Sequence, residues 1–306
     1  MLIGVDVGGT NMRVGVVDGC KVIHEMRASA DFSGVCRTQP AARALQLIID
    51  TLSDALETAL RRHPDAAAIG IGFPGFVTPV SGVVSQSPNL PGLRDVDLAA
   101  PLRQRLGRPV IVENDALAAA YGEYRLSGRE GGGAIYLGLG TGVGGGLITG
   151  GRPYPGEHGV AMEVGHIIVD PEGRSCGCGN RGCMEQYASA SGVAFSYRQA
   201  TGRQLTAYQI SQQAQSGDTL AQAAYALAGE KLAQALAHIL KVVDVAHVII
   251  GGGMSAAWPL LEQDFQRRLD ADLIPALRGK IRVSVSQAGD QAGILGAALL
   301  AAHQVS

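Results

Sequence analysis

The chain has little charge. Charged residues make up 17% of its 306 positions, and 25 lysines and arginines stand against 27 aspartates and glutamates, interspersed along the sequence. No basic stripe stands out, which argues against nucleic acid as a partner. With apolar residues at 46%, the composition is that of a globular and not a disordered protein. Cysteine is scarce as well: five residues, an odd number. The opening MLIGVDVGG has neither a basic leader nor a cleavage site, so no secretion signal is expected. Together these predict a reducing, cytoplasmic compartment, where clustered thiols bind metal more often than they form disulfides. A long apolar run is also missing. Residues 131–151 carry no charge and match a membrane span in length, but eleven of those 21 residues are glycine, so no membrane helix is expected there. No Pro- or Ser-rich linker, short-period repeat or low-complexity tract divides the chain.

Glycine is what the chain has in excess: 43 residues, about twice the usual share. Such richness points to tight backbone turns around a ligand. The length suffices for two domains with their own cores. Apolar runs predict strands over residues 2–7, 12–17 and 22–23, joined by turns. The three-and-four spacing of Leu45, Ile48, Ile49, Leu52, Leu56 and Leu60 predicts a helix over 40–62. A strand over 67–73 ends at Pro74 and Gly75, and a strand over 110–112 leads into a helix over 116–124. A second glycine hairpin joins 134–139 to 147–149. Helices over 220–243, 260–273 and 294–302 alternate with strands over 248–250 and 281–285. Mixed strands and helices predict an α/β class. VDVGGTNMRVGVV and LGLGTGVGGGLITG are both strand, Gly-Thr turn, strand, about 130 residues apart, as two related halves would place them.

In the first hairpin, Gly8 and Gly9 let the backbone approach phosphate oxygens, Thr10 adds a hydroxyl, and Asp6 is placed to hold Mg²⁺ through water; an ordinary hairpin turn is the alternative. The second, from Gly140 through Thr141 and Gly142 to Gly145, satisfies G-x-G-x-x-G formally. A dinucleotide fingerprint needs a helix to open at the third glycine, and here a β-like, glycine-rich stretch follows. Two phosphate-type hairpins suit a nucleoside triphosphate held in a cleft between domains. Cys176, Cys178 and Cys183 supply three soft ligands for Zn²⁺, which takes four in a tetrahedron. His166 is the nearest fourth donor in sequence, His158 is its rival, and Cys20 and Cys36 lie far away. Four protein ligands would make a closed, structural site. In E113-N-D115, Asp115 falls near a helix N-terminus, which favours an ionised carboxylate able to act as a general base. Asn114 offers a donor and an acceptor to a polyol, or a helix cap. Glu163, His166 and Glu185 bracket the thiol loop. A metal that fixes the loop would gather them as one wall for a sugar's hydroxyls.

These motifs together resemble the ROK family of sugar kinases and repressors over essentially the whole chain. D6-V-G-G-T10 and L139-G-T-G-V-G-G-G146 are similar to its two phosphate motifs, G72-F-P-G75 and P88-N-L-P91 to its substrate loops, and E163-V-G-H166 with C176-G-C-G-N-R-G-C-M-E185 to its zinc and sugar signature. G251-G-G253 resembles the adenosine loop, and G289-D-Q-A-G-I-L-G-A-A298 the C-terminal helix. The resemblance implies an actin-like ATPase fold with two domains and a cleft. A small domain would span 1–117 and 291–306, and a large one 118–290. It implies an ATP-dependent hexose kinase in which Asp115 takes the proton of the sugar's 6-hydroxyl. Gly75, Asn89, Asn114, Glu163, His166 and Glu185 would face the sugar. Asp6, Gly8, Gly9, Thr10, Asn11, Thr141, Gly142, Gly252 and Gly253 would face Mg-ATP. His166 with the three thiols would hold zinc. A homodimer is the common assembly. Glucose is the first choice of substrate; N-acetylglucosamine, N-acetylmannosamine, mannose, fructose and allose are alternatives within the family. A repressor would need an N-terminal DNA-binding domain, and the first phosphate strand starts at Leu2; a sensor without catalysis would not be expected to keep Asp115 and both turns. Two positions depart from the family pattern: Asn11 stands where Lys is frequent, and Met162 where a small residue is common.

Overall fold

A first strand, β1 (Leu2–Val7), turns into β2 (Asn11–Asp18) and then β3 (Lys21–Ser29). The computed structural model describes residues 1–8, 10–79, 81–129 and 131–304. Helices α1 (Phe32–Thr38) and α2 (Ala41–Arg62) follow. Ala44, Ile48, Ile49, Leu52, Leu56 and Ala59 form one buried face of α2, the stripe its spacing predicts. Strand β4 (Ile69–Phe73) is fully buried. A small antiparallel sheet of β5 (Phe76–Val77), β6 (Val84–Gln86) and β7 (Arg94–Val96) comes next, then α3 (Ala99–Leu106), β8 (Val110–Asn114) and α4 (Asp115–Leu126). The first large sheet has the order β3-β2-β1-β4-β8, with β1, β4 and β8 parallel.

The rest of the chain repeats that plan. Strands β9 (Gly133–Leu139), β10 (Val143–Thr149) and β11 (Arg152–Pro153) precede α5 (Glu185–Ala188), α6 (Ala190–Thr201), α7 (Ala207–Gln215) and α8 (Thr219–Val243). Then come β12 (His247–Gly251), α9 (Glu262–Asp272), β13 (Arg282–Val285) and α10 (Ala292–Ala301). The second large sheet reads β11-β10-β9-β12-β13, with β9, β12 and β13 parallel, so both halves run third, second, first, then two later strands.

The chain divides into two compact units. Residues 1–132, 146–161 and 290–306 form the first; residues 133–145 and 162–289 form the second. The first unit therefore extends past residue 117, the limit expected from the sequence, and keeps all of α4. The reason is α10, a helix buried on every side and so apolar all round. It lies on β1, β4 and α4: a Cβ on Gly4 would strike the Ile294 carbonyl, and one on Gly296 the Ala118 carbonyl. No helix among the described residues is long and apolar enough to cross a membrane.

Candidate active site

In the first unit, the register Asp6↔Gly72 and Gly72↔Glu113 aligns the carboxyl ends of β1, β4 and β8. Ligands of α/β sheets bind beyond such ends. Asp6 closes β1. Burial pushes its carboxyl up, Arg13 opposes that, and Asp290 and Glu25 add to it. Arg13 also pairs with Asp290 at 3.0 Å, and Gly293, at the start of α10, leaves the Asp6 carboxylate its space. The turn that follows is closed by the Gly8 N–H donating to the Asn11 carbonyl at 2.8 Å. Gly8, Thr10 and Asn11 are exposed; Gly9 lies outside the described residues. Asn11 spends its amide on the Thr10 hydroxyl, 3.2 Å away.

Gly75 ends the loop after β4. Its carbonyl accepts from Asn114 Nδ2 at 3.0 Å, while Asn114 Oδ1 accepts from the Leu117 N–H at 2.9 Å. One amide thus caps α4 and anchors the Gly75 loop; one further N–H and one lone pair remain in its capacity. Asn89 is exposed, and its carbonyl accepts from Ser33 Oγ at 2.9 Å. The Ser87 hydroxyl donates to the Pro74 carbonyl at 2.6 Å, which joins the loop of Asn89 to that of Gly75. Asp115 is the first residue of α4, at the positive end of the helix, and its Oδ1 accepts from the Ala116 N–H at 2.8 Å. Beside it, Glu113 accepts the Asn114 N–H at 2.8 Å; it keeps some accessible surface, yet desolvation pushes its carboxyl up to about 7.

In the second unit, the Gly140–Gly142 turn is closed by the Gly140 N–H donating to the Gly142 carbonyl at 2.9 Å. Glu185 Oε2 accepts the Val143 N–H at 2.9 Å and occupies the space that a Cβ on Gly142 would need. Glu185 is therefore bound to the Gly140–Gly142 turn as well as set beside the thiol loop. The helix that the sequence lacks after the third glycine comes from elsewhere: α6, capped by Ser189, starts with Ala190 donating to the Gly140 carbonyl at 2.9 Å and Ser191 Oγ donating to the Thr141 carbonyl at 3.0 Å. Gly252, in the left-handed region, packs on the Leu139 backbone at the end of β9, and Gly253 is exposed beside it. A cavity of about 760 Å³ opens next to Thr141, lined by Ser191, Phe195, Arg198, Leu205 and Thr206 among others.

The thiol loop folds as two short antiparallel bridges, Ile168 with Cys183 and Ser175 with Arg181. The ligand atoms of His166, Cys176, Cys178 and Cys183 all lie within 4.8 Å of one another. Cys178 and Cys183 sulfurs are 3.6 Å apart, and Cys176 Sγ is 3.7 Å from His166 Nδ1. A tetrahedron with metal–sulfur bonds of about 2.3 Å has edges of about 3.8 Å, so the cage fits such an ion. Burial and the neighbouring thiols push the Cys183 thiol up, and a bound cation would reverse that by favouring thiolates. His158, the alternative donor, belongs to the first unit and is not in this cluster. His166 turns Nδ1 to the thiols and Nε2 toward Glu163 Oε2 at 3.8 Å. The carboxylate beyond a ligating imidazole fixes its orientation in this way. Desolvation raises the Glu163 carboxyl, His166 opposes it, and Glu185 adds to it, so the three residues share one locality.

A family profile described as the ROK family matches residues 2–304. The chain belongs to the ROK family. A glucokinase of Streptomyces coelicolor is 34% identical over 98% of this chain and 97% of its own length. An N-acetyl-D-glucosamine kinase of Shigella boydii serotype 4 is 32% identical over 98% and 99%. The crystal structure of a ROK family glucokinase from Streptomyces griseus in complex with glucose and AMPPNP superposes with a TM-score of 0.83, at 35% identity and 99% coverage of both chains. The fold is thus that of ROK sugar kinases, the actin-like ATPase fold. Within this ROK chain Met162 has φ +67°, a left-handed conformation uncommon for a side-chain-bearing residue. Residues that sequence reading missed are Ser87, which fastens the Gly75 loop, Ser189 and Ser191 at the start of α6, and Arg174 behind the thiol loop. Only Ser189 had a sequence signal, as a potential N-cap.

Proposed function

We propose that this ROK protein is an ATP-dependent kinase that phosphorylates the 6-hydroxyl of an aldohexose, with glucose the first choice. The observation that carries the reading is Asp115: a carboxylate at the start of α4, beyond the carboxyl end of β8, in a chain 34% identical along its length to a glucokinase. Asp115 takes the proton as the sugar's O6 attacks the γ-phosphorus. The O6–P bond forms, the bond from γ-phosphorus to the β–γ bridging oxygen breaks, and ADP leaves with that oxygen. The turn with exposed Gly8, Thr10 and Asn11, and the turn at Thr141 and Gly142, face the phosphates, the latter strengthened by the α6 N-terminus, and Gly9 is assigned to the same phosphate motif from its sequence. Gly252, Gly253 and the cavity beside Thr141 take the nucleoside. Gly75, Asn89, Asn114, Glu163, His166 and Glu185 hold sugar hydroxyls. Asp6 fits Mg²⁺, being a hard oxygen donor beside Arg13 and Asp290, and Mg²⁺ supplies charge neutralisation on the phosphates when bound. His166, Cys176, Cys178 and Cys183 fit a structural Zn²⁺. All five cysteines are free, which suits a cytoplasmic protein, and the family resemblance supports a homodimer.

The Shigella relative favours N-acetylglucosamine as the second substrate to test. One epimeric or acetylated position changes preference through contacts that no motif encodes. A coupled ADP-release assay over glucose, N-acetylglucosamine, N-acetylmannosamine, mannose, fructose and allose decides among them. Asp115→Asn should retain hexose binding and lose turnover by about a hundredfold or more. Near-normal turnover of that variant would remove the base assignment, and silence of the wild type on every hexose would remove the kinase reading.

A further inference from the structure

Resting on the kinase reading, we infer that Arg174 is a positioning residue that carries the order of the metal loop to the cavity beside Thr141. Arg174 stands two residues before Cys176 and takes no part in the thiol cage. Its guanidinium lies over two rings, 4.4 Å from the Tyr187 centroid and 4.6 Å from that of Phe195. Nη1 donates to the carbonyls of Gln186 and Gly192, and Nη2 donates to Ser196 Oγ at 2.9 Å. Its backbone N–H donates to the Tyr187 hydroxyl at 3.1 Å, which in turn donates to Asp170 Oδ2 at 3.1 Å. The Arg174 carbonyl accepts the Gly182 N–H at 2.7 Å, next to Cys183. A surface arginine would stay in water; this one is half-buried, at a cost in lost hydration. The π faces and carbonyls of α5 and α6 offset that cost.

What Arg174 grips is the wall of the nucleotide-side cavity. Phe195 and Arg198 both line it, and the Arg198 guanidinium lies 5.5 Å from the same Phe195 ring. Arg174, Phe195 and Arg198 therefore form one continuous stack from the thiol loop to the cavity. Lys231 fixes the loop's other end, its ammonium donating to the Val169 carbonyl at 3.2 Å. With a metal in place, the loop backbone on either side of Arg174 would be held, by His166 before it and by Cys176 and Cys183 after it. Without it that backbone loosens, and the ring that shapes the cavity loses its anchor. Nucleotide affinity is thereby linked to metal occupancy through one side chain.

Calorimetric titration of the full chain with Mg-AMPPNP, and separately with glucose, tests the link. R174M should keep its metal and bind AMPPNP about fivefold to tenfold more weakly, with glucose affinity within about twofold of wild type. R174K, which retains the cation but not the fork, should recover part of the loss. F195L, remote from the thiols, should reproduce R174M and covers the case in which R174M does not fold. Chelation should weaken AMPPNP binding to the wild type by a similar factor and add nothing further in R174M. Wild-type AMPPNP affinity in R174M, proportional loss of both ligands, or an equal chelation penalty in both proteins overturns the inference while leaving the kinase reading standing. A wild type that binds no AMPPNP overturns both.

Discussion

At the scale of single residues, two side chains occupy positions with a calculable cost. Glu113 is desolvated beside Asp115, its carboxyl pushed up to about 7 from the ordinary 4.5. A raised carboxyl pKa means that the native state holds the proton more tightly than the unfolded chain. The stability from that proton is complete below about pH 4.5 and is lost as pH rises through 7. The full shift corresponds to about 3 kcal/mol, and residual exposure trims it to about 2 kcal/mol. Glu113→Gln keeps an oxygen for the Asn114 N–H and removes the titration. Denaturant melts should show it gaining about 2 kcal/mol on the wild type between pH 5 and pH 8; a gain that does not change with pH would contradict the account. Met162 carries a different cost, its left-handed φ of +67°. That conformation costs about 1–2 kcal/mol in an L-residue, and glycine returns about 0.5–1 kcal/mol of it as chain entropy. Met162→Gly should raise the melting temperature by about 2 °C. A lower melting temperature would mean that the thioether's packing outweighs the backbone strain.

Elements decide how closely the parts of the first unit approach. Helix α10 meets α4 backbone to backbone, because a Cβ on Gly296 would strike the Ala118 carbonyl and one on Gly122 the Ala292 carbonyl. Gly296→Val should cost about 3 kcal/mol or abolish soluble expression, since α10 has no slack among ten buried residues. Thermal denaturation of the purified variant reads this, and a wild-type melting curve would show that the helices can separate without loss. The same elements show what was legible beforehand. Strands β1, β4, β9 and β12 are largely apolar runs followed or ended by glycine or proline, and α2 has a clean stripe, so their positions follow from run length and period. Helix α6 is rich in Ala and Ser and gives no strong period, α7 has a buried stripe at Ala207, Ile210, Ser211 and Ala214 in which Ile210 is the one large apolar residue, and β5, β6 and β7 have two or three residues each, too few for any pattern to form. Within the site, the thiol spacing announced its cage. The α6 N-terminus at Gly140 could not be foreseen, because about 50 residues of chain separate it from the turn it completes. The double duty of Asn114, cap and loop anchor at once, is likewise a tertiary fact.

At the scale of the whole molecule, the chain order matters more than any one element. The first unit is assembled from three stretches and the second from two, so the first is complete only when residues 290–306 have joined it. The His/Cys cluster proposed to hold a metal has the opposite character: His166 to Cys183 is a short local loop inside one stretch of the second unit. An ion bound there stabilises only states in which that loop is formed, by about 2.7 kcal/mol at a hundred times its dissociation constant. Chelation of the full chain should therefore act regionally. Hydrogen exchange should speed up in residues 163–201, where the loop and the helices gripped by Arg174 lie, and stay unchanged in α2 and β1. Elemental analysis before chelation should find one metal per chain. Exchange that quickens evenly across both units would make the ion a global stabiliser, and exchange that does not change would mean that hydrogen bonds such as Cys176 N–H to the Asn180 carbonyl hold the loop without it. The regional outcome follows from geometry: four ligand atoms within 4.8 Å constrain the backbone between them and what that backbone touches, and in this chain those contacts run to α5, α6 and α8.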